Sequence, residues 1–396
     1  MMKKILSLLM ILALTLSMAA CGGTVNTDYT GSGDSLYNIA MVTGYGDITD
    51  QSFNQTTWEA IEAFAADYNS DVQYFMPSSD DDAARVAAAE RAIANGYDVI
   101  VLPGYIHGAT VVELSETYPE TKFIALDIGA GDLLSTAVAR KGETYDYIPE
   151  NWNLTDYVYL NNVYCAVYQE EISGYMAGYA AVKLGYTKLG YLGGMAVPAV
   201  QRYGYGYVQG VDAAAKELGI TVDLKYAYAN QFYADSDITA VMDTWYNGGT
   251  QVVFSCGAAV WTSVAEAAKK TGGKIIGVDV DQSATIDADY GTGMTLSSAM
   301  KGLAPTTYNT LVDVLVNGNW SKYAGKVETL GIICTVPSEN YVQIGESTLF
   351  EEGKFSYADY TTLVTAIYNG KLTVSNDTTT EPVTTNTTVQ WLGNIK

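Results

Sequence analysis

Tyr37-Asn-Ile-Ala-Met-Val-Thr43 leads directly into Gly44-Tyr-Gly-Asp-Ile-Thr-Asp-Gln-Ser-Phe-Asn-Gln-Thr-Thr-Trp58. The first run is apolar and strand-like. The second is a polar loop that passes into Trp58, Ile61, Phe64, Ala65 and Tyr68, which recur at helical spacing. Ser52 with Gln55 three residues on is a capping-box pattern and predicts a helix beginning at Ser52. A strand, loop and helix start in this order is the first unit of an α/β sheet. Its loop presents free helix N–H groups, the carboxylates of Asp47 and Asp50, the Asn54 amide and the Phe53 ring at the carboxyl end of a strand. That is where open α/β sheets bind small molecules.

The same alternation continues outward. Strands are expected at 72–76, 98–102 and 122–127, with helices at 52–69, 81–95 and 108–118 between them. A less regular span covers 132–156, and the apolar run 157–167 precedes a second alternation. There, helices at 170–184, 199–218, 236–247 and 260–271 separate strands at 188–193, 221–229, 251–256 and 274–280. This βα rhythm predicts two doubly wound parallel-sheet lobes with helices on both faces. A short strand at 294–297, a helix at 301–317, strand-like segments near 331 and 342 and a helix at 358–369 are too little for a third domain and complete the two lobes. The 373–396 tail is Thr-rich and polar and reads as mobile, with 389–392 able to dock.

At the other end, Lys3 and Lys4, an apolar run over 5–20 and Met18-Ala-Ala before Cys21 resemble a bacterial lipoprotein signal, cleaved after residue 20 and acylated on Cys21. The polar stretch 21–36 then reads as a flexible tether. These features place the protein on the extracytoplasmic face of the membrane, held only by lipid. The charge agrees: 21 basic against 44 acidic residues give −23, which argues against nucleic acid or an anionic membrane surface as partner. Cys165, Cys256 and Cys334 cannot all pair and lie in apolar runs, so buried free thiols are expected.

Catalytic and metal motifs are sparse. The single histidine, His107, reads as a cap or surface residue, and no His/Cys cluster has zinc spacing. Gly204-Tyr-Gly206 with Gly210 lies inside a helical pattern, which excludes a dinucleotide turn. Asp279-Val-Asp-Gln-Ser283 opens like a calcium loop, but Ala284 stands where glycine is needed and Tyr290 where a bidentate glutamate is needed. No cofactor and no metal are expected. Asp127 and Asp279 each end a predicted strand, one per lobe; either caps the next helix or meets a ligand, and the pair favours a shared cleft. Phe53 and Phe232 sit in polar loops where no apolar period demands a ring. Two such rings stack a flat heterocycle for about 1–3 kcal/mol each, and hydrogen bonds to carboxylates add about 1.5–3 kcal/mol each. After the cost of association, that suits micromolar to nanomolar binding.

Five stretches resemble the basic membrane protein family of substrate-binding lipoproteins, the purine nucleoside receptor type that serves ABC importers. They are Ile39 to Glu59, Glu170-Glu-Ile-Ser-Gly-Tyr-Met-Ala-Gly-Tyr-Ala-Ala181, Leu189 to Val200 with Tyr205 to Gly210, Ile276-Gly-Val-Asp-Val-Asp-Gln282 and Thr295-Leu-Ser-Ser-Ala-Met-Lys301. The similarity spans about 37–370, in order and at compatible spacings. It implies a type I periplasmic-binding fold with three hinge crossings, its lobes 37–167 with 298–326 and 168–297 with 327–372. It implies a monomer that binds a nucleoside between the lobes and delivers it to a membrane permease. Phe53 and Phe232 would stack on the base, Asn54 and Asp127 would contact from the first lobe, Asp279 would hold ribose hydroxyls, Lys301 would reach the ligand, and Gly257 would approach through its backbone. Two departures stand out: Gly44 where an acidic residue is usual, and Ala258-Ala-Val-Trp261 in place of a glycine-rich turn, so that Trp261 would take over part of the stacking. Three alternatives remain: a binder of a sugar or other small polar ligand on the same fold, a nucleoside hydrolase using Asp127 or Asp279 as base, and a receptor that signals through a partner without transport.

Overall fold

A computed structural model describes residues 36–395 apart from Tyr45 and Gln51. The expected signal segment, Cys21 and the tether up to residue 35 lie outside the described residues.

Strands β1 (Asn38–Val42), β2 (Asp71–Phe75), β3 (Val99–Pro103), β4 (Lys122–Leu126) and β5 (Val163–Tyr168) alternate with helices α1 (Phe53–Tyr68), α2 (Asp82–Ala94), α3 (Gly108–Leu114) and α4 (Ala130–Arg140). With β11 (Lys326–Leu330) they form a parallel six-stranded sheet in the order β11-β5-β4-β3-β1-β2. β3 is buried along its whole length between neighbours, as a continuous Val-Ile-Val-Leu run requires in a sheet covered on both faces. The edge strand β2 carries Asp71 and Gln73 instead.

The second lobe contains α5 (Glu170–Lys183), β6 (Lys188–Gly193), α6 (Pro198–Leu218), β7 (Val222–Tyr228), α7 (Ser236–Asn247), β8 (Val252–Cys256), α8 (Trp261–Thr271), β9 (Lys274–Asp279), α9 (Ser283–Tyr290) and β10 (Thr295–Lys301). Its seven-stranded sheet runs β12-β10-β9-β8-β6-β7-β13, where β12 (Val342–Ile344) is antiparallel to β10 and β13 spans Thr387–Asn394. The chain passes between the sheets three times: between β5 and α5, between β10 and α10 (Leu303–Leu311), and between β11 and β12. α10 packs on α1 in the first lobe and widens into a π turn at Val312–Val316. Because β10 stays in the second sheet to Lys301, this crossing falls at Gly302 rather than 298. β11 belongs to the first sheet, although the expected boundary at 327 would divide it.

Several local expectations are corrected. The irregular span from 132 begins as helix α4, and α9 fills a stretch with no helical expectation. The Thr-rich tail ends in β13, which pairs in parallel with β7. Trp391 lies 4.5 Å from the Tyr226 ring, while Asp212 accepts from the amides of Thr385 and Asn386 and so fixes the approach. The burial of an aromatic against a tyrosine-rich edge outweighs the polar composition that read as mobile. His107 does stand at the N-cap position of α3, though its side chain makes no capping bond, and it is not a surface residue: it is fully buried, and burial pushes it down to about 3. Cys165 and Cys256 are free and buried, whereas Cys334 is only half-buried.

α5 and α6 cross in the second lobe with backbones nearly touching. A Cβ at Gly206 would stand 2.0 Å from the Glu171 carbonyl oxygen, and one at Gly174 would stand 2.1 Å from that of Tyr203. The glycines at 206 and 210 thus serve helix contact. Their packing brings the start of α5 against the start of α6 beside the crossing.

Candidate ligand cleft between the lobes

β4 and β9 each end in an aspartate with a left-handed backbone, φ 62° at Asp127 and 67° at Asp279. Such a conformation is uncommon outside glycine and tends to be held where a side chain must point a particular way. Here both carboxylates meet Lys301 at the end of β10: its Nζ lies 2.8 Å from Asp127 Oδ2 and 3.5 Å from Asp279 Oδ1. Glu170 Oε1 is 3.6 Å from the same nitrogen, and Glu170 Oε2 accepts from Arg202 Nε at 2.7 Å. The Phe53 ring completes this environment, its centroid 4.4 Å from Lys301 Nζ. Phe53 packs against the apolar cores of both lobes.

The loop after β1 is organised by Asp50, not Ser52. The Asp50 carboxylate accepts from the amides of Ser52, Asn54 and Gln55, and so caps α1. The predicted capping box is therefore not formed: Ser52 Oγ instead donates to Asp279 Oδ2 at 2.7 Å, across the cleft. Asn54 is buried and accepts the Gly44 amide through Oδ1 at 3.1 Å, which fixes the loop from behind.

Charge follows from burial. Burial alone would raise Asp127, but Lys301 and Arg202 overcome it and hold the carboxyl below its ordinary range. Glu170 is pushed up to about 8 by burial, with Arg202 opposing and Asp127 reinforcing. For Lys301 burial opposes the charge, and Asp127, Asp279 and Glu170 together raise it further. Asp127 Oδ1, Glu170 Oε1 and the Tyr203 hydroxyl have no hydrogen-bond partner among the described residues. Buried polar atoms of this kind suit the hydroxyls of a ligand. Among the described residues no group of acidic, His or Cys side chains is disposed to hold a metal ion.

A family model described as ABC transporter substrate-binding protein PnrA-like matches residues 38–372. The chain belongs to the Bmp family. This Bmp protein is 26% identical over 316 residues to the CD4+ T-cell-stimulating antigen of Listeria innocua, covering 75% of this chain and 79% of the other. It is 26% identical over 283 residues to a Lactococcus lactis protein named ABC transporter nucleoside-binding protein BmpA, covering 67% and 71%. A solute-binding protein of an ABC transporter system from Aeropyrum pernix shares the fold, with TM-score 0.62 and 17% identity over 86% of this chain and 88% of that one. The Bmp protein is thus an extracytoplasmic substrate-binding protein of the periplasmic-binding type, not an enzyme.

Among the residues singled out in the sequence, the Bmp fold brings Phe53, Asp127, Asp279 and Lys301 into one cluster. Phe232 and Gly257 lie together in the second lobe: the Phe232 ring rests against Gly194, where a Cβ would be 2.5 Å from it, and a Cβ at Gly257 would be 3.0 Å from Gly194. Two residues fall elsewhere. Trp261 is buried in the helix layer of the second lobe with Met242 and Val264, its ring edge-on to Tyr290, because the 3₁₀ turn at Ala258–Val260 carries it away from the strand ends. Asp47 is exposed and accepts the hydroxyl and amide of Thr49, closing its own turn. Sequence reasoning missed Glu170 and Arg202. Glu170 was visible as a charge opening an otherwise apolar helix, and Arg202 as a cation within the glycine-rich start of α6. Their partnership depends on helix packing that no local pattern shows.

Proposed function

We propose that this Bmp protein captures a nucleoside, most readily a purine nucleoside, between its lobes and delivers it to the permease of an ABC importer. In this reading it works as a monomer anchored by lipid at Cys21. The observation that carries the proposal is Lys301 held between carboxylates of opposite lobes beneath the Phe53 ring. A ribose offers adjacent hydroxyls that donate to ionised carboxylates, each such bond contributing about 1.5–3 kcal/mol. Asp279 and Asp127 receive these hydroxyls, Lys301 donates to a sugar or base oxygen, and Phe53 and Phe232 cover the base. Asn54 contributes from the first lobe by holding the loop that carries Phe53, and the Gly257 backbone approaches from the second.

A second reading, capture of a sugar, has one observation in its favour. Trp261 is committed to the core, which removes one expected stacking ring and leaves a carboxylate and lysine cluster that would also receive a polyol. A melting assay with nucleosides, free bases, ribose and hexoses separates the two. Ligand at a hundredfold excess over its dissociation constant adds about 2.7 kcal/mol of stability. The nucleoside reading predicts an upward shift of the transition with nucleosides and none with sugars; the opposite pattern overturns it and leaves the fold untouched.

A further inference from the structure

The ionisable groups at the hinge do not balance. Lys301 and Arg202 bring two positive charges against the three carboxylates of Asp127, Asp279 and Glu170. An uncompensated buried charge is costly, so one carboxyl of such a group holds a proton. Geometry selects which one. Asp279 receives Ser52 Oγ and faces Lys301; Asp127 Oδ2 receives Lys301 directly. Glu170 has a fully buried side chain, and its Oε1 lacks a donor, as does Asp127 Oδ1. The two carboxyl groups meet at the same ammonium, Lys301 Nζ lying 2.8 Å from Asp127 Oδ2 and 3.6 Å from Glu170 Oε1. An ionised carboxylate only accepts, so a proton on Glu170 removes the excess negative charge and gives its orphaned Oε1 a hydrogen to donate.

We propose that Glu170, gripped by Arg202, is the positioning residue for Lys301: with its proton it leaves the ammonium to Asp127 and Asp279, and without it competes for the ammonium and draws it off the ligand. The proposal rests on reading the Lys301 cluster as the ligand site. Glu170 opens α5 at the first crossing and Lys301 closes β10 at the second, so the pair also links two hinge segments. The groups facing Glu170 are Arg202 from α6, Lys301 from β10 and Asp127 from the end of β4, with Glu171, Tyr168 and Tyr203 close by. Burial pushes Glu171 up to about 7, so the test must separate the two glutamates.

Glu170→Gln keeps an oxygen for Arg202 and cannot titrate. Because the folded chain holds the Glu170 proton where the unfolded chain has lost it, wild-type stability falls as pH rises from the ordinary glutamate value through about 8. In ligand-free protein, the melting temperature of E170Q therefore gains on wild type between about pH 6 and about pH 9, and Glu171→Gln gains at lower pH. In calorimetry with inosine, wild-type affinity falls about tenfold from pH 6.5 to 9, and E170Q loses that fall. Identical pH profiles for E170Q and wild type overturn the proposal. If inosine does not bind, the nucleoside reading fails while the ligand-free comparison still decides the role of Glu170. If E170Q does not fold, carboxyl carbon NMR of Glu171→Gln labelled on glutamate decides: a carboxyl titrating near pH 8 supports the proposal, and all glutamates titrating below about pH 6 overturn it.

Discussion

Lys301 faces three buried carboxyl groups through a single nitrogen, two of them ionised at neutral pH, which makes it the residue with most to lose. Lys301→Met would keep much of the side-chain volume but leave Asp127 and Asp279 without their shared cation. Breaking a buried pair by removing one partner costs about 3–5 kcal/mol. Urea denaturation at neutral pH should show a loss of that order, shrinking as pH falls and the stranded carboxyls take up protons. A loss below about 1 kcal/mol would mean that the cluster is solvated and the packing around Phe53 carries the cleft. At this scale the sequence was partly legible. Asp127 and Asp279 stood out because each ends an apolar strand run, and Phe53 because it is a ring in a polar loop. Ser52 misled, since the same hydroxyl that fits a capping box is used across the cleft while Asp50 caps the helix.

Among the elements, α5 and α6 show why some of the molecule could not be read locally. The glycines of α6 matched no nucleotide-binding turn, and their purpose appears only when α5 lies against them. Gly206→Ala places a methyl group against the Glu171 carbonyl, 2.0 Å away in the present backbone. Overpacking of this kind costs about 1–3 kcal/mol, and the shift is transmitted to Glu170 and Arg202. Equilibrium unfolding should therefore show lower stability for G206A, accompanied by weaker ligand binding. Unchanged stability would mean that the helices separate without cost and do not set the position of Glu170. The βα alternation was legible because each strand is an apolar run and each helix has its own period. β13 was not: its short Val389-Gln-Trp-Leu392 run lies in polar sequence, and its partner β7 is more than a hundred residues earlier.

For the whole molecule, the lobes meet through Ser52 with Asp279 and through Lys301 with Asp127, contacts that a bound sugar would share or replace. A ligand stabilises this closed arrangement only as far as it binds it better than the open one. Two lobes and a cleft at their strand ends follow from the alternation of elements alone, whereas the three crossings and the charge cluster between them depend on which sheet each late strand joins. The decisive measurement is titration calorimetry of inosine, guanosine and adenosine against wild type and Asp279→Asn. The account predicts micromolar or tighter binding of at least one nucleoside by wild type, weakened by about tenfold or more in the variant, as loss of a hydrogen bond to a charged group requires. Binding of a nucleoside that is equal in wild type and variant, or binding of sugars with no response to any nucleoside, would contradict it.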